Sequence, residues 1–521
     1  MIELYDTTLR DGSQGEGVSF TVQDKLRIAQ RLDECGFHYV EGGWPGSNPK
    51  DITFFEAARE LKLEHAKLCA FGSTRRKHIR AAEDPLVRQL AESGAPVVTI
   101  FGKSWLLHVT EVLNATAEEN LEMIRDTVQF LKSQGLEVIY DAEHFFDGHE
   151  DDPAYALATL GAAAQGGADV LTLCDTNGGT MPWRIEEVTR QVVERFPTRI
   201  GIHTHNDCEL GVANAIAGVR GGATHVQGTI NGLGERTGNA NLCSILPVLA
   251  LKMGLPPVTP EQLARLSELS AYVDELANLA PDEFRPFVGR AAFAHKAGTH
   301  ADAVRKNPRT CEHIEPELVG NRRRVLVSEL SGGSTIVWKA EEQGVELDKK
   351  SPETRRILAK IAKMESDGYV FEGAEASFDL LVKKETGAYQ KLFELIGFRV
   401  IVEKRGHDEE PITEATLKIA VNGHQELTVA EGDGPIHALD GAMRKALLRF
   451  YPELKDVRLT DFKVRVVDAK DGTAAKVRVL VEGADPHGSW STIGVSTNVI
   501  EASWQALADS VEYALLARTG K

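Results

Sequence analysis

The sequence IGIHTHND at residues 200–207 places two histidines two positions apart at the end of a short apolar run. In an extended strand, residues i and i+2 point to the same face, so the imidazoles of His203 and His205 could approach one metal ion. Histidines also end strands for purely structural reasons, and the spacing alone leaves both interpretations open. Further ligands near the same strand end would favour the metal site.

Other residues suited to binding and catalysis follow further strand-like runs in the first half of the chain. They are Arg10 and Asp11 after IELYD (2–6), Asp141 and Glu143 in EVIYDAEH (137–144), Thr176 at the end of VLTLCDT (170–176), and Asn239 in the loop NGLGERTGNAN (231–241). Buried carboxylates and histidines are costly without partners. If these runs are parallel strands of one barrel, the side chains converge on its mouth and indicate a site.

A hard divalent cation prefers oxygen and imidazole ligands and an open position for substrate. Asp11, His203, His205 and Asn239 could supply four such ligands. Mg²⁺ and Mn²⁺ suit the oxygen ligands, whereas the two imidazoles also suit Zn²⁺. Arg10 would place a fixed positive charge beside the metal for an oxyanion or a carboxylate. As alternatives, Arg10 and Asp11 could form a surface ion pair, and Asn239 could be a turn residue.

Three further polar residues at the same strand ends have candidate roles of their own. Thr176 could donate a hydrogen bond to a substrate carboxylate, Asp141 is a candidate substrate-binding residue, and Glu143 would be a nearby acid or base. Glu143 could equally be a structural acid. Joint placement at strand ends favours the functional interpretation over the separate structural ones.

The first ~255 residues alternate short apolar runs with longer amphipathic segments. The strand-like runs are 2–6, 38–43, 66–72, 96–102, 137–144, 170–176, 200–206 and 224–230. Eight strands alternating with helices predict an α/β fold, a (β/α)8 TIM barrel, with its chemistry at the C-terminal ends of the strands. A doubly wound open sheet is the alternative, but the Gly-rich fingerprint after the first strand is absent.

The rest of the chain has two different patterns. From about 260 to 390 it is helical and charged, and from about 397 onward it alternates in a strand-like way. ATLKIAVNG (415–423) and KVRVLVEGAD (476–485) each lead through another strand into a helix, which indicates an internal duplication. The predicted domains are a catalytic barrel over 1–265, mostly helical linker subdomains that complete the active site over 266–396, and a C-terminal α+β regulatory domain over 397–521.

Composition narrows the class of protein further. A net charge of −18 over 521 residues argues against nucleic acid or an anionic membrane as a partner. The chain has no run of about 20 apolar residues and no basic-then-apolar N-terminal segment. Its six cysteines form no CxxC pair, a pattern typical of reduced thiols. We therefore expect a cytoplasmic protein with small-molecule substrates.

Four long motifs give the chain a resemblance to a known family. DTTLRDGSQ (6–14), LCDTNGGTMP (173–182), HTHNDCELGVANA (203–215) and GTINGLGERTGNANL (228–242) are similar to the signatures of the 2-isopropylmalate, homocitrate and citramalate synthase family. The similarity extends over essentially the whole chain. The segments most similar to the citramalate-forming branch are EGGWPGSNPKD (41–51), VTIFGKSW (98–105), FFDGHEDDP (145–153) and HKAGTHADAVRKNPRT (295–310).

This resemblance implies a Claisen-type condensation of acetyl-CoA with pyruvate, followed by thioester hydrolysis, on a route to isoleucine. Use of 2-oxoisovalerate as the acceptor, on a leucine route, is the alternative. The implied roles are metal ligation by Asp11, His203, His205 and Asn239, oxyanion stabilisation by Arg10, 2-oxo acid binding by Thr176, and proton transfer by Glu143 with His300. The family also implies a homodimer in which His300 comes from the neighbouring subunit, and isoleucine as a feedback effector of the C-terminal domain.

One position departs from the family. Its members place a tyrosine soon after the HADA segment, where this chain reads PRTCEH with Cys311. If that tyrosine helps the thioester step, this chain must use another group, and we expect Cys311 to be a packed thiol.

Two other classes of protein share parts of the pattern: lyases with the same barrel and metal site, and amino-acid sensors with an inactive barrel. The C-terminal domain disfavours the first class, and the intact polar set disfavours the second.

Overall fold

The computed structural model of the protein describes residues 2–296, 298–327, 333–342, 346–404, 406–407, 409–467 and 474–519. The chain divides into two compact units. The first runs to Phe293 and includes Ile314–Arg323, and the second contains Ala294–His313 and the chain from Arg324 onward. The domain boundaries expected at 265 and 396 stay predictions.

Eight parallel strands close into one barrel in the first unit. They are β1 (Glu3–Asp6), β2 (Tyr39–Gly43), β3 (Lys67–Ser73), β4 (Val97–Lys103), β5 (Glu137–Glu143), β6 (Val170–Asp175), β7 (Arg199–Thr204) and β8 (His225–Gly228). Each strand pairs with the next, and β1 pairs with β8 from Glu3 opposite His225 to Asp6 opposite Gly228. The predicted (β/α)8 barrel is confirmed, because each of the eight apolar runs forms a strand.

Helices connect the strands and share a continuous apolar core with them. They are α1 (Val22–Glu34), α2 (Pro49–Ala58), α3 (Pro85–Glu92), α4 (Ala117–Ser133), α5 (Phe145–Asp151), α6 (Pro153–Gly166), α7 (Pro182–Arg195), α8 (Gly211–Arg220), α9 (Leu242–Pro247), α10 (Pro260–Leu263) and α11 (Leu266–Leu276).

Local sequence explains where the first helix begins and ends. Thr21 and Asp24 form a capping box, in which the Thr21 hydroxyl accepts from the Asp24 amide and the Asp24 carboxylate accepts from the Thr21 amide. Leu32 and its neighbours on one stripe are buried. Gly36, just after the helix, has a φ of +80°, which glycine adopts at low cost.

The barrel interior changes from apolar to polar along the strands. A buried cluster of Tyr5, Tyr39, Cys69, Val97, Ile139 and Val170 fills the part near the strand N-termini. Since side chains alternate along a strand, Asp141 shares the face of Ile139 and lies one layer nearer the C-terminal end. The first-unit residues predicted for the site therefore lie at the mouth that follows the strands.

The second unit joins short helices to two antiparallel sheets. Its elements are β9 (Ala294–His295), α12 (Gly298–Lys306), β10 (Arg324–Val325), α13 (Gly333–Glu342), α14 (Pro352–Ser366), α15 (Glu375–Thr386), β11 (Glu394–Glu403), β12 (Ile412–Val421), β13 (His424–Gly432), α16 (Pro435–Leu447), β14 (Arg458–Val466), β15 (Val477–Asp485), β16 (Gly488–Ser496) and α17 (Val499–Thr519).

The predicted internal duplication is present as two copies of a three-stranded sheet followed by a helix. Matching positions of the two helices have the same burial: Ala438 and Ala442 on α16, and Ala502 and Ala506 on α17, are all fully buried in one core. Across the residues that the structure covers, we find no helix with the length and apolar character needed to span a bilayer.

Candidate active site

A cavity of about 250 Å³ opens at the C-terminal ends of the barrel strands. Its lining includes all but one of the first-unit residues predicted for the site: Arg10, Asp11, Asp141, Glu143, Thr176, His203 and His205. Asn239 is beside it, since His205 and Asn239 form an isolated antiparallel bridge. The C-terminal ends of β5 and β7 and the segments after β1, β6, β7 and β8 thus bring the predicted residues to one place.

Three potential ligands converge within this cavity. Asp11, His203 and His205 are buried and offer ligand atoms that all lie within 4.8 Å of one another. Nε2 of His203 is 3.2 Å from Nε2 of His205 and 3.6 Å from Oδ2 of Asp11. Burial lowers the pKa of both histidines, and the neighbouring His203 helps to bring the pKa of His205 to about 3. Neutral imidazoles are the form that binds metal.

The carboxylate of Asp11 stays ionised in spite of its burial. Burial alone would raise its pKa, but Arg10 and, less strongly, His203 and His205 bring it down to about 2. An ionised carboxylate between two neutral imidazoles is a suitable donor set for a divalent cation.

Asn239 fits the role of a fourth ligand. Its side-chain Nδ2 donates to the carbonyl of Leu233 at 3.2 Å, whereas its buried Oδ1 has no hydrogen-bond partner among the described residues. An unsatisfied buried acceptor costs free energy unless another group binds it. The glycine-rich loop makes this placement possible, because a Cβ on Gly238, whose φ is +95°, would lie 1.9 Å from the Gly232 carbonyl oxygen. The loop is therefore a turn that positions Asn239.

The Arg10 guanidinium is fixed by three contacts. Nε donates to Oε1 of Glu41 at 2.5 Å, Nη1 lies 3.1 Å from Oδ2 of Asp11, and the guanidinium carbon lies 3.6 Å from the centre of the Phe71 ring. The Arg10–Asp11 pair is largely buried, so the surface-pair alternative does not hold. A planar cation held in this way offers its remaining donors in one direction.

Glu41 is a site residue that sequence reasoning left out of the candidate set. Its carboxylate is fully buried in the middle of β2 and accepts from Arg10 and from the hydroxyls of Tyr5 and Thr7. The available signal was its position, since it is the one carboxylate within the second strand-like run, 38–43. Its partners lie on or just after β1, so only the closed barrel shows that it orients Arg10.

An aromatic wall, also unforeseen, bounds the cavity beside Arg10. The rings of Phe71 and Phe101 stack with centroids 5.5 Å apart, and Trp44 contacts both edge-on at 5.9 and 5.7 Å. All three rings line the cavity. The site therefore combines a charged floor with an apolar side wall.

Glu143 and Thr176 lie on neighbouring strand ends. Glu143 ends β5 and forms an ion pair with Lys103, which ends β4 in the adjacent register. The Thr176 hydroxyl accepts from the backbone amide of His144 at 2.9 Å. Arg236 donates to the Thr176 carbonyl at 2.7 Å, so the loop after β8 fastens this turn.

Asp141 lies at the floor of the cavity and differs from the other carboxylates. Burial, and secondly the charge of Glu41, raise its pKa to about 7. Its Oδ1 accepts a hydrogen bond from Gln227 at 2.9 Å.

Two predicted residues lie in the second unit. His300 is on α12, and its meeting with Glu143 stays a prediction. Cys311 was expected to be a packed thiol, and this expectation is wrong. The residue is exposed just after the helical turn Pro308–Thr310, and its sulfur lies 3.8 Å from the Thr310 hydroxyl. The polar surroundings of the turn keep this segment at the surface.

Comparison with known proteins matches nearly the whole chain to known families. Residues 1–272 match the HMGL-like family model, residues 287–368 the homocitrate synthase post-HMGL domain-like model, and residues 372–515 the LeuA allosteric (dimerisation) domain. Among curated proteins, the (R)-citramalate synthases of Geobacter sulfurreducens and Aquifex aeolicus are each 54% identical, with 99% of this chain and 98% of the relative covered. A probable 2-isopropylmalate synthase of Archaeoglobus fulgidus is 29% identical over 99% of this chain and 97% of its own.

The barrel and its domain matches define an HMGL-like enzyme of the acyltransferase class. Within that class the chain belongs to the (R)-citramalate synthase family. The resemblance seen in the motifs is thereby confirmed, and the 2-isopropylmalate synthases are more distant relatives.

Proposed function

We propose that this chain condenses acetyl-CoA with pyruvate and hydrolyses the resulting thioester. A carbon–carbon bond forms between the acetyl methyl carbon and the ketone carbon of pyruvate, the methyl group loses a proton, and the ketone oxygen gains one. Water then cleaves the thioester and releases citramalate and CoA, with the R configuration that the relatives' names give. One observation carries this proposal: the buried ligand atoms of Asp11, His203 and His205 converge within 4.8 Å of one another, and Asp11 lies beside the guanidinium of Arg10.

The same four side chains would hold the divalent cation, with Mg²⁺ or Mn²⁺ favoured and Zn²⁺ as the alternative. When bound there, a divalent cation supplies Lewis acidity and a template for the ketone and carboxylate oxygens of a 2-oxo acid. The orphaned Oδ1 of Asn239 and the neutral imidazoles are the features of this chain that fit it.

Residues of the chain would stabilise the oxyanion, bind the acceptor and transfer protons. Arg10, held by Glu41 and Phe71, places a positive charge where an enolate or alkoxide oxygen develops. The Thr176 hydroxyl binds the acceptor's carboxylate, and Asp141 lies below the acceptor at the cavity floor. Glu143, which lines the cavity, accepts the methyl proton, and His300, which the family implies comes from the neighbouring subunit, takes part in the proton transfer.

The aromatic wall is the feature that supports pyruvate, the smaller 2-oxo acid, as the acceptor. Trp44, Phe71 and Phe101 bound the cavity on one side, and its volume is about 250 Å³. We expect an acceptor with a methyl group to leave room for the thioester, and an isopropyl group to press against these rings. The wall thus favours pyruvate over 2-oxoisovalerate.

An acceptor assay tests the proposal. With acetyl-CoA and Mn²⁺ present, the release of free CoA thiol is measured for one 2-oxo acid at a time. Pyruvate is expected to give the highest kcat/KM, and a higher value for 2-oxoisovalerate would overturn the substrate assignment.

Phe101→Ala should raise the ratio of kcat/KM for 2-oxoisovalerate to kcat/KM for pyruvate by about tenfold or more, the usual effect of a methylene-sized difference. Phe130→Ala, on the outer helix α4, is the matched control and should leave the ratio unchanged.

A regulatory and assembly role is proposed for the C-terminal part of the chain. Outward-facing apolar side chains remain exposed on its sheets, among them Leu427 (64%), Val429 (45%), Val464 (47%) and Val466 (51%). Exposed apolar faces of this kind mark interaction surfaces. We assign them to a homodimer and assign isoleucine as the feedback effector of this domain.

The regulatory proposal predicts that isoleucine, and not leucine alone, inhibits the full-length enzyme. Leu427→Lys combined with Val429→Lys is expected to shift the mass measured by light scattering from dimer to monomer. Ile52→Lys, an exposed apolar residue of α2, is the control. Inhibition by leucine alone, or a monomeric unmodified chain, would contradict the proposal.

The six free thiols support a reducing, cytoplasmic setting, which cell fractionation tests.

A further inference from the structure

Gln227 is a fully buried amide in the barrel interior, and it is not among the predicted site residues. It lies on β8 directly opposite His203 in the strand register. A buried amide costs free energy unless both its oxygen and its nitrogen find partners. Its hydrogen bonds therefore indicate what it does.

The two ends of the Gln227 amide face different groups. Nε2 lies 2.9 Å from Oδ1 of Asp141 and 3.3 Å from the Thr172 hydroxyl, both of which can accept. Oε1 lies 2.9 Å from Nδ1 of His203. With Asp141 ionised, the reverse orientation would place two acceptor oxygens against each other, so the ionised carboxylate determines which way the amide points.

This orientation fixes the tautomer of His203. A carbonyl oxygen only accepts hydrogen bonds, so Nδ1 of His203 must carry the proton and donate it to Gln227. The lone pair is then on Nε2, the atom that lies 3.6 Å from Oδ2 of Asp11 and 3.2 Å from Nε2 of His205. The imidazole thus presents its basic nitrogen to the candidate metal group.

We infer that Gln227 is a positioning residue that holds His203 in its metal-binding tautomer, with Asp141 fixing the amide in turn. The inference rests on the proposed metal site. Outer partners of this kind orient ligand histidines and raise their basicity. His205 contrasts with His203, because its buried Nδ1 has no hydrogen-bond partner in the described part of the chain. Of the two imidazoles, His203 is therefore the one whose orientation is set in advance.

Three full-length variants separate this role from simple packing. Gln227→Leu keeps an apolar volume but removes the acceptor. Gln227→Glu keeps an acceptor oxygen facing His203, with one proton shared between its carboxyl group and that of Asp141 in place of the amide N–H. Thr172→Val is the matched control. It removes the weaker acceptor of the Gln227 amide and a hydrogen bond to Asp141, but it keeps the Gln227 bonds to Asp141 and His203. Mn²⁺ alone is the probe, with free Mn²⁺ counted by electron paramagnetic resonance.

Gln227→Leu is expected to weaken Mn²⁺ binding by about 10- to 100-fold, the usual effect of losing an outer partner. Gln227→Glu should recover most of that loss, and Thr172→Val should remain within about twofold of the unmodified chain. If Gln227→Leu is folded and binds Mn²⁺ as tightly as the unmodified chain, the inference is wrong.

Nitrogen-15 NMR of labelled histidines supplies a second readout that a packing role would not move. In chelator-treated, unmodified protein, the His203 signal, assigned by its loss in His203→Ala, should report a proton on Nδ1. A proton on Nε2 instead overturns the inference even if Gln227→Leu fails to fold. If the unmodified chain binds no Mn²⁺, the proposed metal site fails, while the tautomer still tests Gln227 separately.

Discussion

His203→Ala is expected to abolish metal binding and turnover together. His203 contributes one of three buried ligand groups that lie within 4.8 Å of one another, and alanine leaves Asp11 and His205 with only the neutral amide of Asn239 as a further ligand. The Kd for Mn²⁺ should rise by more than about 100-fold. The kcat should fall by about a thousandfold, because the Lewis acid supplies several kcal/mol of transition-state stabilisation.

Calorimetric Mn²⁺ titration and CoA-release kinetics check this result on the same preparation. His38→Ala is the matched control, since His38 lies just before β2 at the opposite end of the barrel and accepts from the Leu4 amide at 3.2 Å. That variant should bind Mn²⁺ and turn over normally. A folded His203→Ala protein that keeps its Mn²⁺ affinity would refute the ligand assignment.

Arg10→Lys is expected to lower kcat by about 100- to 1000-fold, the usual cost of losing one preorganised oxyanion donor. Lysine keeps the charge but loses the planar fork that bonds to Glu41 and stacks on Phe71. The positive charge then has no fixed direction. Mn²⁺ affinity should change by only about threefold or less, because Arg10 itself is not a ligand.

Loss of kcat without loss of Mn²⁺ affinity would distinguish the role of Arg10 from that of His203, whose substitution should reduce both. Arg199→Lys is the control, because Arg199 bonds to Glu3 and Glu137 at the other end of the barrel. It should affect the melting temperature more than kcat. An Arg10→Lys enzyme with more than about a tenth of the original kcat would mean that the guanidinium is not the oxyanion donor.

Periodicity made the barrel predictable from the sequence. Eight buried parallel strands leave eight short apolar runs, and their ends then predict where Asp11, Glu143, Thr176 and His203 meet. The i, i+2 spacing of His203 and His205 held because β7 carries both to one mouth. The duplication in the second unit was also readable, since alanines at matching positions of α16 and α17 are buried in the same core.

The residues that orient the site residues could not be predicted from the sequence. Glu41 meets Arg10, and Gln227 meets His203, only across strand registers that barrel closure sets. Gln227 had a weak signal, as one amide inside the apolar run THVQGTI, but no partner could be assigned to it. Cys311 was misjudged because exposure depends on how a turn faces solvent, which residue type alone does not determine.

The identity of the product tests the central claim most directly. Full-length protein, Mn²⁺, acetyl-CoA and carbon-13-labelled pyruvate are incubated, and the products are separated on a chiral column and identified by mass spectrometry. We expect labelled (R)-citramalate and free CoA in equal amounts, with neither formed when a chelator is present. Free CoA without labelled citramalate, or 2-isopropylmalate formed faster from 2-oxoisovalerate, would contradict the proposed reaction.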